Sequence, residues 1–240
     1  MDTALYEALR SAIQREEPVA TATVVEGVST GAKLLIRADG TTIGSLAEVV
    51  PELDVVADAL AMLARTESGI RSYAERQIFI ETFAPPPTLF IVGAVHIAIP
   101  LVTYAKTLGF RTVVVDARGA FATPERFDHA DELIHAWPDE ILESRLTINS
   151  FVVLLTHDPK LDDPALVVAL PSPARYVGAL GSPKTHAKRV ERLRSEGMQD
   201  EHLARLHAPI GLKIGATTPE EIAVSIIAEI VAARHSLTSK

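Results

Sequence analysis

TLFIVGAVHIAIPLVTYAKTLGFRTVVVD, residues 88–116, decides the fold of this chain. The apolar run Leu89–Val92 predicts a buried strand that ends at a glycine. The apolar spacing over about His96–Leu108 predicts a helix, and the β-branched run Thr112–Asp116 predicts a second strand. A strand, a helix and a strand at this spacing indicate the opening unit of a Rossmann-type, dinucleotide-binding-like domain.

The residues that follow repeat the alternation of strands and helices. Short β-branched runs predict strands at Glu132–His135, Phe151–Leu155 and Tyr176–Gly178. Amphipathic spacing predicts helices at about Pro138–Glu143, Asp163–Leu170, Lys184–Glu196 and Pro219–Arg234. Strands without polar alternation indicate an α/β fold, with a Rossmann-like parallel sheet that is covered by helices on both faces.

The first 84 residues predict a small α+β domain. Helices are expected from about Asp2 to Arg15, capped by Asp2 or Thr3, and from Pro51 to about Arg65. The remaining strands are expected at Val19–Val25, Lys33–Arg37, Thr41–Gly44, Ile70–Ala74 and Gln77–Phe83.

A triple proline, Pro85–Pro87, follows this first segment. Prolines neither donate to a sheet nor continue a helix, so we interpret the triplet as a boundary between domains at 1–84 and 88–240. The alternative is a rigid loop inside one domain.

The composition excludes several classes of protein. The 240 residues carry a net charge of −8 and contain no cysteine. An acidic balance argues against a nucleic-acid partner, and the missing thiols exclude disulfides, cysteine-ligated metals and a cysteine nucleophile. No apolar run approaches the ~18 residues of a membrane span, and the acidic N-terminus does not resemble a signal peptide. The eight histidines show no metal-ligand spacing, so we expect a cytoplasmic protein without a metal site or a membrane partner.

The turn after the first Rossmann strand is a candidate phosphate site. Gly93 is followed by Val95 and His96, at the point where a helix N-terminus favours an anion. Val95 places a branched side chain where a second glycine would let a phosphate approach. The turn is therefore strong evidence for the fold and weaker evidence for a bound dinucleotide.

Asp116 and Arg118 follow the second Rossmann strand. Asp116 lies near the spacing of the acid that bonds a ribose hydroxyl, but an aspartate capping a turn is an equal alternative. Arg118 either faces an anionic ligand or pairs with Asp116.

A second loop, Gly178–Lys184, also precedes a predicted helix. Ser182 and Pro183 are typical of the N-cap and first helical positions, so Gly181, Ser182 and Lys184 are candidate anion-binding residues. The helix that follows is basic, which indicates either anion binding or a capped helix with a solvated face. The basic residues are Lys184, Lys188, Arg189, Arg192 and Arg194.

Two later segments have structural and functional interpretations. Thr218–Glu221 predicts a capping box, and the glycines of the preceding Pro209–Gly215 allow a ligand or another backbone to come close. His157 and Asp158 follow a buried strand, where they are either an acid–base pair or a structural histidine beside an aspartate. No catalytic residue is assigned.

Several of these segments, taken together, resemble the xanthine dehydrogenase accessory (XdhC/CoxI) family. The matching stretches are LFIVGAVHIAIPL, LGFRTVVVDARGAFATPERF with DHADE, LLTHD, YVGALGSPKTHAKRVERL and LHAPIGLKIGATTPEEIAVSIIAEIVAARH. They run in this order across residues 89–235, and their joint occurrence is specific.

The resemblance implies an accessory protein rather than an enzyme. It implies binding of molybdenum cofactor (molybdopterin), help with its sulfuration, and delivery to the apo form of a xanthine dehydrogenase or related molybdenum hydroxylase. It also implies a homodimer and a sulfurtransferase as a further partner.

This chain departs from the family at three places. Val95 breaks the usual Gly-Ala-Gly-His turn, and Lys213 replaces the acid of the family's Gly-Leu-Asp-Ile-Gly. Residues Thr42–Glu48 stand where the family has a Gly-Gly-Gly-Cys-x-Glu stretch. Two alternatives remain open: an NAD(P)-dependent oxidoreductase, and a degenerate scaffold that binds partner proteins only.

Overall fold

The computed structural model describes residues 3–46 and 52–235. The chain divides into two compact units, Met1–Pro85 and Pro86–Lys240. Some expectations fall on residues outside this description. They concern Asp2 and Pro51, which were expected to begin helices, and Ala47–Glu48, the end of the segment Thr42–Glu48 that departs from the family. None of the described helices is long and apolar enough to cross a membrane.

The first unit is an antiparallel sheet with two helices. Its elements are α1 (Thr3–Gln14), β1 (Val19–Glu26), β2 (Lys33–Arg37), β3 (Thr42–Ser45), α2 (Glu52–Arg65), β4 (Gly69–Tyr73) and β5 (Arg76–Phe83). The described strands pair in the order β3-β2-β1-β5-β4.

Side-chain alternation along β2 explains why a helix covers each face of this sheet. Leu34 and Ile36 pack in the cluster that contains Val55 of α2, while Leu35 packs in the cluster that contains Leu5 of α1. Successive strand residues point to opposite faces, so one apolar strand supplies both cores.

The second unit is built around a parallel sheet. Its strands are β6 (Thr88–Val92), β7 (Arg111–Val115), β8 (Glu132–Ile134), β9 (Ser150–Leu154), β10 (Tyr176–Ala179) and β11 (Leu206–His207). They lie in the order β8-β7-β6-β9-β10-β11, and every neighbouring pair is parallel. This is the strand order of the dinucleotide-binding folds, with its direction reversing between β6 and β9.

Helices cover both faces of this sheet. They are α3 (Ala98–Thr107), α4 (Pro124–Phe127), α5 (Pro138–Arg145), α6 (Pro159–Ala169), α7 (Pro183–Ser195), α8 (Asp200–Leu203) and α9 (Pro219–Arg234). Ile91 of β6 packs in the cluster that contains Leu101 of α3 and Ile226 of α9, while Val92 packs in the cluster that contains Leu166 of α6. The predicted α/β fold class is therefore confirmed.

Two helix starts differ from the prediction by two residues or more. Helix α6 begins at Pro159 rather than Asp163, because the Asp158 carboxylate accepts the Lys160 N–H at 3.0 Å and caps an earlier first turn. Helix α3 begins at Ala98 rather than His96, because the Ala98 N–H donates to the Val95 carbonyl at 3.0 Å and closes a separate turn before the helix. The elements α4, α8 and β11 were not predicted, and each has only two to four residues.

Candidate functional site

The carboxyl ends of β6 and β9 meet where the strand order reverses, which is where ligands bind in open α/β sheets. Gly93 follows β6 with φ +105°, and Thr156 lies just beyond β9. A Cβ on Gly93 would lie 2.5 Å from Thr156 Cγ2, so packing against the segment that follows β9 already requires the glycine. Val95 is half-buried against the core and His96 is exposed.

The buried Asp116 carboxylate is engaged within the chain. It accepts the Ala94 N–H at 2.8 Å and the Arg118 N–H at 2.9 Å. The Arg118 guanidinium donates to both of its oxygens, from Nε at 2.9 Å and Nη2 at 2.8 Å. Burial raises the pKa of Asp116, but these hydrogen bonds, led by that from the Arg118 side chain, hold it below its ordinary value.

These contacts correspond to the turn-capping alternative for Asp116 and the ion-pair alternative for Arg118. The Arg118 guanidinium also lies 4.4 Å from the centre of the Phe121 ring, which is exposed. A ribose hydroxyl would have to compete with three intramolecular donor groups for Asp116, so the structure gives no support to a dinucleotide at this position.

His157 and Asp158 do not form a side-chain pair in the described structure. The Asp158 carboxylate caps α6, while His157 is exposed. The acid–base interpretation therefore has no geometric support, and neither does a hydrogen-bonded structural histidine. His157 instead lines a cavity that also contains Lys184.

This cavity, called here the α7 cavity, has a volume of about 160 Å³ and lies beside the first turns of α7. Gly181, with φ +148°, leads into the helix, and Ser182 caps it by accepting the Thr185 N–H at 3.1 Å. The lining residues are His157, Pro159, Asp162, Lys184, Thr185, Lys188, Arg189 and Arg192.

The structure divides the basic residues of α7 into two groups. Lys184, Lys188 and Arg194 are exposed, as a solvated helix face predicts. Arg192 makes a bidentate ion pair with Asp163, with Nη2 at 2.9 Å from Oδ1. Arg189 is only 1% exposed, which the solvated-face alternative does not predict.

The Arg189 guanidinium lies between α7, α6 and the loop before α7. Its Nη2 donates to Asp162 Oδ2 at 3.0 Å and to the Leu180 carbonyl at 3.1 Å. Thr156 donates its hydroxyl to the other oxygen of Asp162, and burial raises the pKa of Asp162. Sequence reasoning missed Asp162, because nothing in a helix marks one carboxylate as the partner of a residue 27 positions away.

The glycine loop Pro209–Gly215 accommodates another part of the chain. The Gly211 N–H donates to Glu229 at 2.7 Å, and a Cβ on Gly211 would lie 2.5 Å from Ser225 Oγ. The sequence allowed either a ligand or another part of the chain to come close to these glycines. The structure shows the second alternative, with α9 as the neighbour.

Glu229 is a second carboxylate that sequence reasoning missed. The Tyr176 hydroxyl donates to it at 2.7 Å, and His207 Nδ1 lies 3.3 Å from its other oxygen. Burial raises the pKa of Glu229, but hydrogen bonds led by those of His207 and Tyr176 hold it below its ordinary value. The available signal was a lone acid within the apolar sequence SIIAEIVAA of α9.

Both compact units match known family models. A model described as the XdhC Rossmann domain matches residues 89–230, which is more than half of the chain. The chain belongs to the XdhC family. A second model, described as the XdhC and CoxI family, matches residues 12–74. The resemblance inferred from the motifs is thereby confirmed, and every residue of the α7 cavity lies within the XdhC Rossmann match.

Three curated proteins are similar to this XdhC-family chain. The uncharacterized protein YqeB of Escherichia coli (strain K12) is 31% identical over 222 residues, covering 85% of this chain and 41% of the relative. A probable xanthine dehydrogenase subunit of Bacillus subtilis (strain 168) is 37% identical over 158 residues, covering 65% of this chain and 46% of the relative. The molybdenum cofactor insertion chaperone PaoD of E. coli (strain K12) is 32% identical over 91 residues, covering 38% of this chain and 29% of the relative. The chain spans less than half the length of each.

A solved structure supports the fold over nearly the whole chain. It is described as a xanthine dehydrogenase from Bacillus halodurans, and the two share 24% identity with a TM-score of 0.55. The alignment covers 96% of this chain and 95% of that one. At this identity the likeness shows the fold alone.

Proposed function

We propose that this chain is an accessory protein for the maturation of a xanthine dehydrogenase-like molybdenum hydroxylase. In this role it binds molybdenum cofactor and assists its insertion into the apoenzyme. Membership of the XdhC family supports the proposal, as do relatives named as a molybdenum cofactor insertion chaperone and as part of a probable xanthine dehydrogenase.

The observation that carries the proposal is a basic cavity on an acidic protein. The α7 cavity contains Lys184, Lys188 and the buried Arg189, although the whole chain has a net charge of −8. Molybdenum cofactor ends in a phosphate, or a pyrophosphate in its nucleotide forms, so its anionic end suits this donor set. A cavity of about 160 Å³ is small beside the pockets that enclose whole ligands, so we assign it to the anionic end only.

The residues proposed to hold the cofactor's anionic end are His157, Gly181, Ser182 and Lys184. His157 lies in the loop after β9, and the other three form the entry to α7; His157 and Lys184 line the cavity together with Lys188 and Arg189. Gly93, Val95, His96, Asp116 and Arg118 remain predictions for a contact with the rest of the ligand. A molybdenum hydroxylase apoenzyme, a sulfurtransferase and a second copy of this chain are the proposed partners.

A binding measurement tests the proposed function. Purified protein is mixed with molybdenum cofactor, passed through a desalting column, and assayed for pterin by fluorescence after oxidation. We expect retention well above that of serum albumin treated in the same way, and we expect the loaded protein to activate a molybdenum hydroxylase apoenzyme. Retention no greater than that of albumin would overturn the proposal.

The strand order favours one second candidate, an NAD(P)-binding oxidoreductase, because the same order is typical of dinucleotide-binding sheets. The engaged Asp116 and the side chain of Val95 argue against it. A fluorescence titration with NADH separates the two: saturable micromolar binding favours the oxidoreductase, and its absence favours the accessory role.

A further inference from the structure

Arg189 has hydrogen-bonding capacity that the described chain does not use. Its Nη2 bonds Asp162 and the Leu180 carbonyl, but Nε and Nη1 are buried with no acceptor among the described residues. A buried guanidinium donor without an acceptor is costly, and an unpaired one in a native structure calls for an explanation. Arg189 lines the α7 cavity, so a ligand bound there would lie beside this guanidinium.

Arg189 Nη1 lies near the loop that precedes α7. An ideal Cβ built on Gly181 would lie 3.8 Å from Nη1 and 3.2 Å from Thr185 Cβ. A side chain at this position would crowd Thr185, so the glycine lets the loop lie close to the guanidinium.

The first turn of α7 offers a further donor. Pro183 has no N–H, and Ser182 Oγ accepts the N–H of Thr185. The Lys184 N–H has no partner in the part of the chain that the structure describes. It lies at the positive end of a helix of 13 residues, where an anion is favoured.

The charges around the α7 cavity do not balance. Arg189 is paired with Asp162 and Arg192 with Asp163. Lys184 and Lys188 are exposed and make no ion pair among the described residues, so two positive charges face the cavity without a counter-ion. A phosphate group carries close to two negative charges at neutral pH, whereas a carboxylate carries one.

We propose that the α7 cavity is a phosphate-binding subsite. It takes the phosphate of an organic monoester, which Lys184 and Lys188 neutralise while the Lys184 N–H and the spare donors of Arg189 hydrogen-bond its oxygens. The inference rests on the proposed function only for the identity of the ester, which would then be molybdenum cofactor. Phosphate recognition itself follows from the donors and charges of the cavity.

The test uses the full chain and simple phosphates. Inorganic phosphate and glycerol 3-phosphate are titrated by calorimetry at low ionic strength into wild type, K184Q/K188Q and K160Q/K213Q. The control removes two exposed lysines that do not line the cavity, so it changes the net charge equally. Glycerol serves as the ligand without phosphate.

We expect wild type and K160Q/K213Q to bind both phosphates saturably, with affinities within about twofold of each other. K184Q/K188Q should bind both at least about tenfold more weakly, since each lysine contributes a charge-assisted contact. Absence of saturable binding to wild type, or equal weakening in both double variants, would overturn the proposal. Binding of inorganic phosphate without binding of the ester would overturn the assignment to a monoester.

A second variant tests the buried donors. Arg189→Lys keeps a positive charge beside Asp162 but removes Nε and Nη1, so we expect weaker phosphate binding at an unchanged net charge. Unaltered affinity would contradict the role given to Arg189. If this variant does not fold, the lysine pair, whose side chains are exposed, still decides the proposal.

The titration contains no molybdenum cofactor, so the two proposals fail separately. A chain that binds phosphate but does not retain the cofactor keeps the subsite and loses the proposed function. A chain that retains the cofactor without binding phosphate keeps the proposed function and loses the subsite.

Discussion

Asp116 connects the two turns that follow β6 and β7. Its carboxylate accepts hydrogen bonds from Ala94 on one turn and from Arg118 on the other, and it is fully buried. Asp116 therefore holds these two turns together at the edge of the sheet where the candidate site lies. It does so with or without a ligand.

Replacing this carboxylate with an amide should therefore destabilise the protein. Asp116→Asn removes the charge that Arg118 pairs with, and we expect the free energy of unfolding to fall by about 1 to 3 kcal/mol, because Arg118 remains partly solvated. Urea unfolding of this variant is compared with that of Glu143→Gln, an exposed carboxylate on α5. Equal stability of the two variants would contradict the account.

The lowered pKa of Asp116 gives the same substitution a pH signature. A carboxylate with a depressed folded-state pKa stabilises the fold above its unfolded-state pKa, and this stabilisation is lost as the pH falls through the folded-state value. We expect the stability difference between wild type and Asp116→Asn to be full near pH 7 and to shrink below about pH 4. A difference that does not change on acidification would count against the ion pair.

Gly93 is constrained by packing as well as by its backbone angle. Gly93→Ala would place a Cβ 2.5 Å from Thr156 Cγ2 at φ +105°. We expect a loss of about 2 to 4 kcal/mol in unfolding free energy. Gly109→Ala is the matched control, because it has φ +79° and nothing within 4 Å of the added atom, and it should cost about 1 kcal/mol. Similar losses at both positions would show that the contact with Thr156 adds nothing to the cost of Gly93→Ala.

At the scale of elements, the apolar pattern predicted the longer strands and helices of the sheet. Runs such as Phe151–Leu155 are β-branched or apolar throughout, and they form central strands because both faces are covered. The elements α4, α8 and β11 are too short to show a period, so pattern alone does not find them.

The candidate site was predictable only in part. The cap at Ser182 follows from local sequence, and the structure places it as expected. The burial of Arg189 does not follow from local sequence, because its partner Asp162 belongs to a different helix. The same holds for Glu229, whose partners Tyr176 and His207 come from neighbouring strands.

Glu229 links α9 to two strands of the sheet by hydrogen bonds. Glu229→Gln keeps the shape of the side chain but weakens its hydrogen bonds from Tyr176, His207 and Gly211, so we expect about 1 to 3 kcal/mol of destabilisation. Thermal unfolding measures it, with the exposed Glu220→Gln on the same helix as the control. If both variants melt alike, this network does not stabilise the second unit.

At the scale of the molecule, the second unit combines a Rossmann sheet with the phosphate subsite that we propose beside α7, rather than at the usual glycine turn. The Gly93 turn packs against Thr156, and Val95 packs against the core. The α7 cavity is lined by the segments that follow β9 and β10, and it has donors and positive charges without partners among the described residues. The anionic end of a ligand is thus assigned to α7 rather than to the first helix of the fold.

The most direct test of this assignment is the amount of molybdenum cofactor that each variant retains per chain. Wild type and K160Q/K213Q are predicted to retain it equally, and K184Q/K188Q is predicted to lose most of it under the same conditions, because the phosphate of the cofactor loses its two lysine counter-charges. Equal retention by all three proteins would contradict the claim that the α7 cavity holds the cofactor.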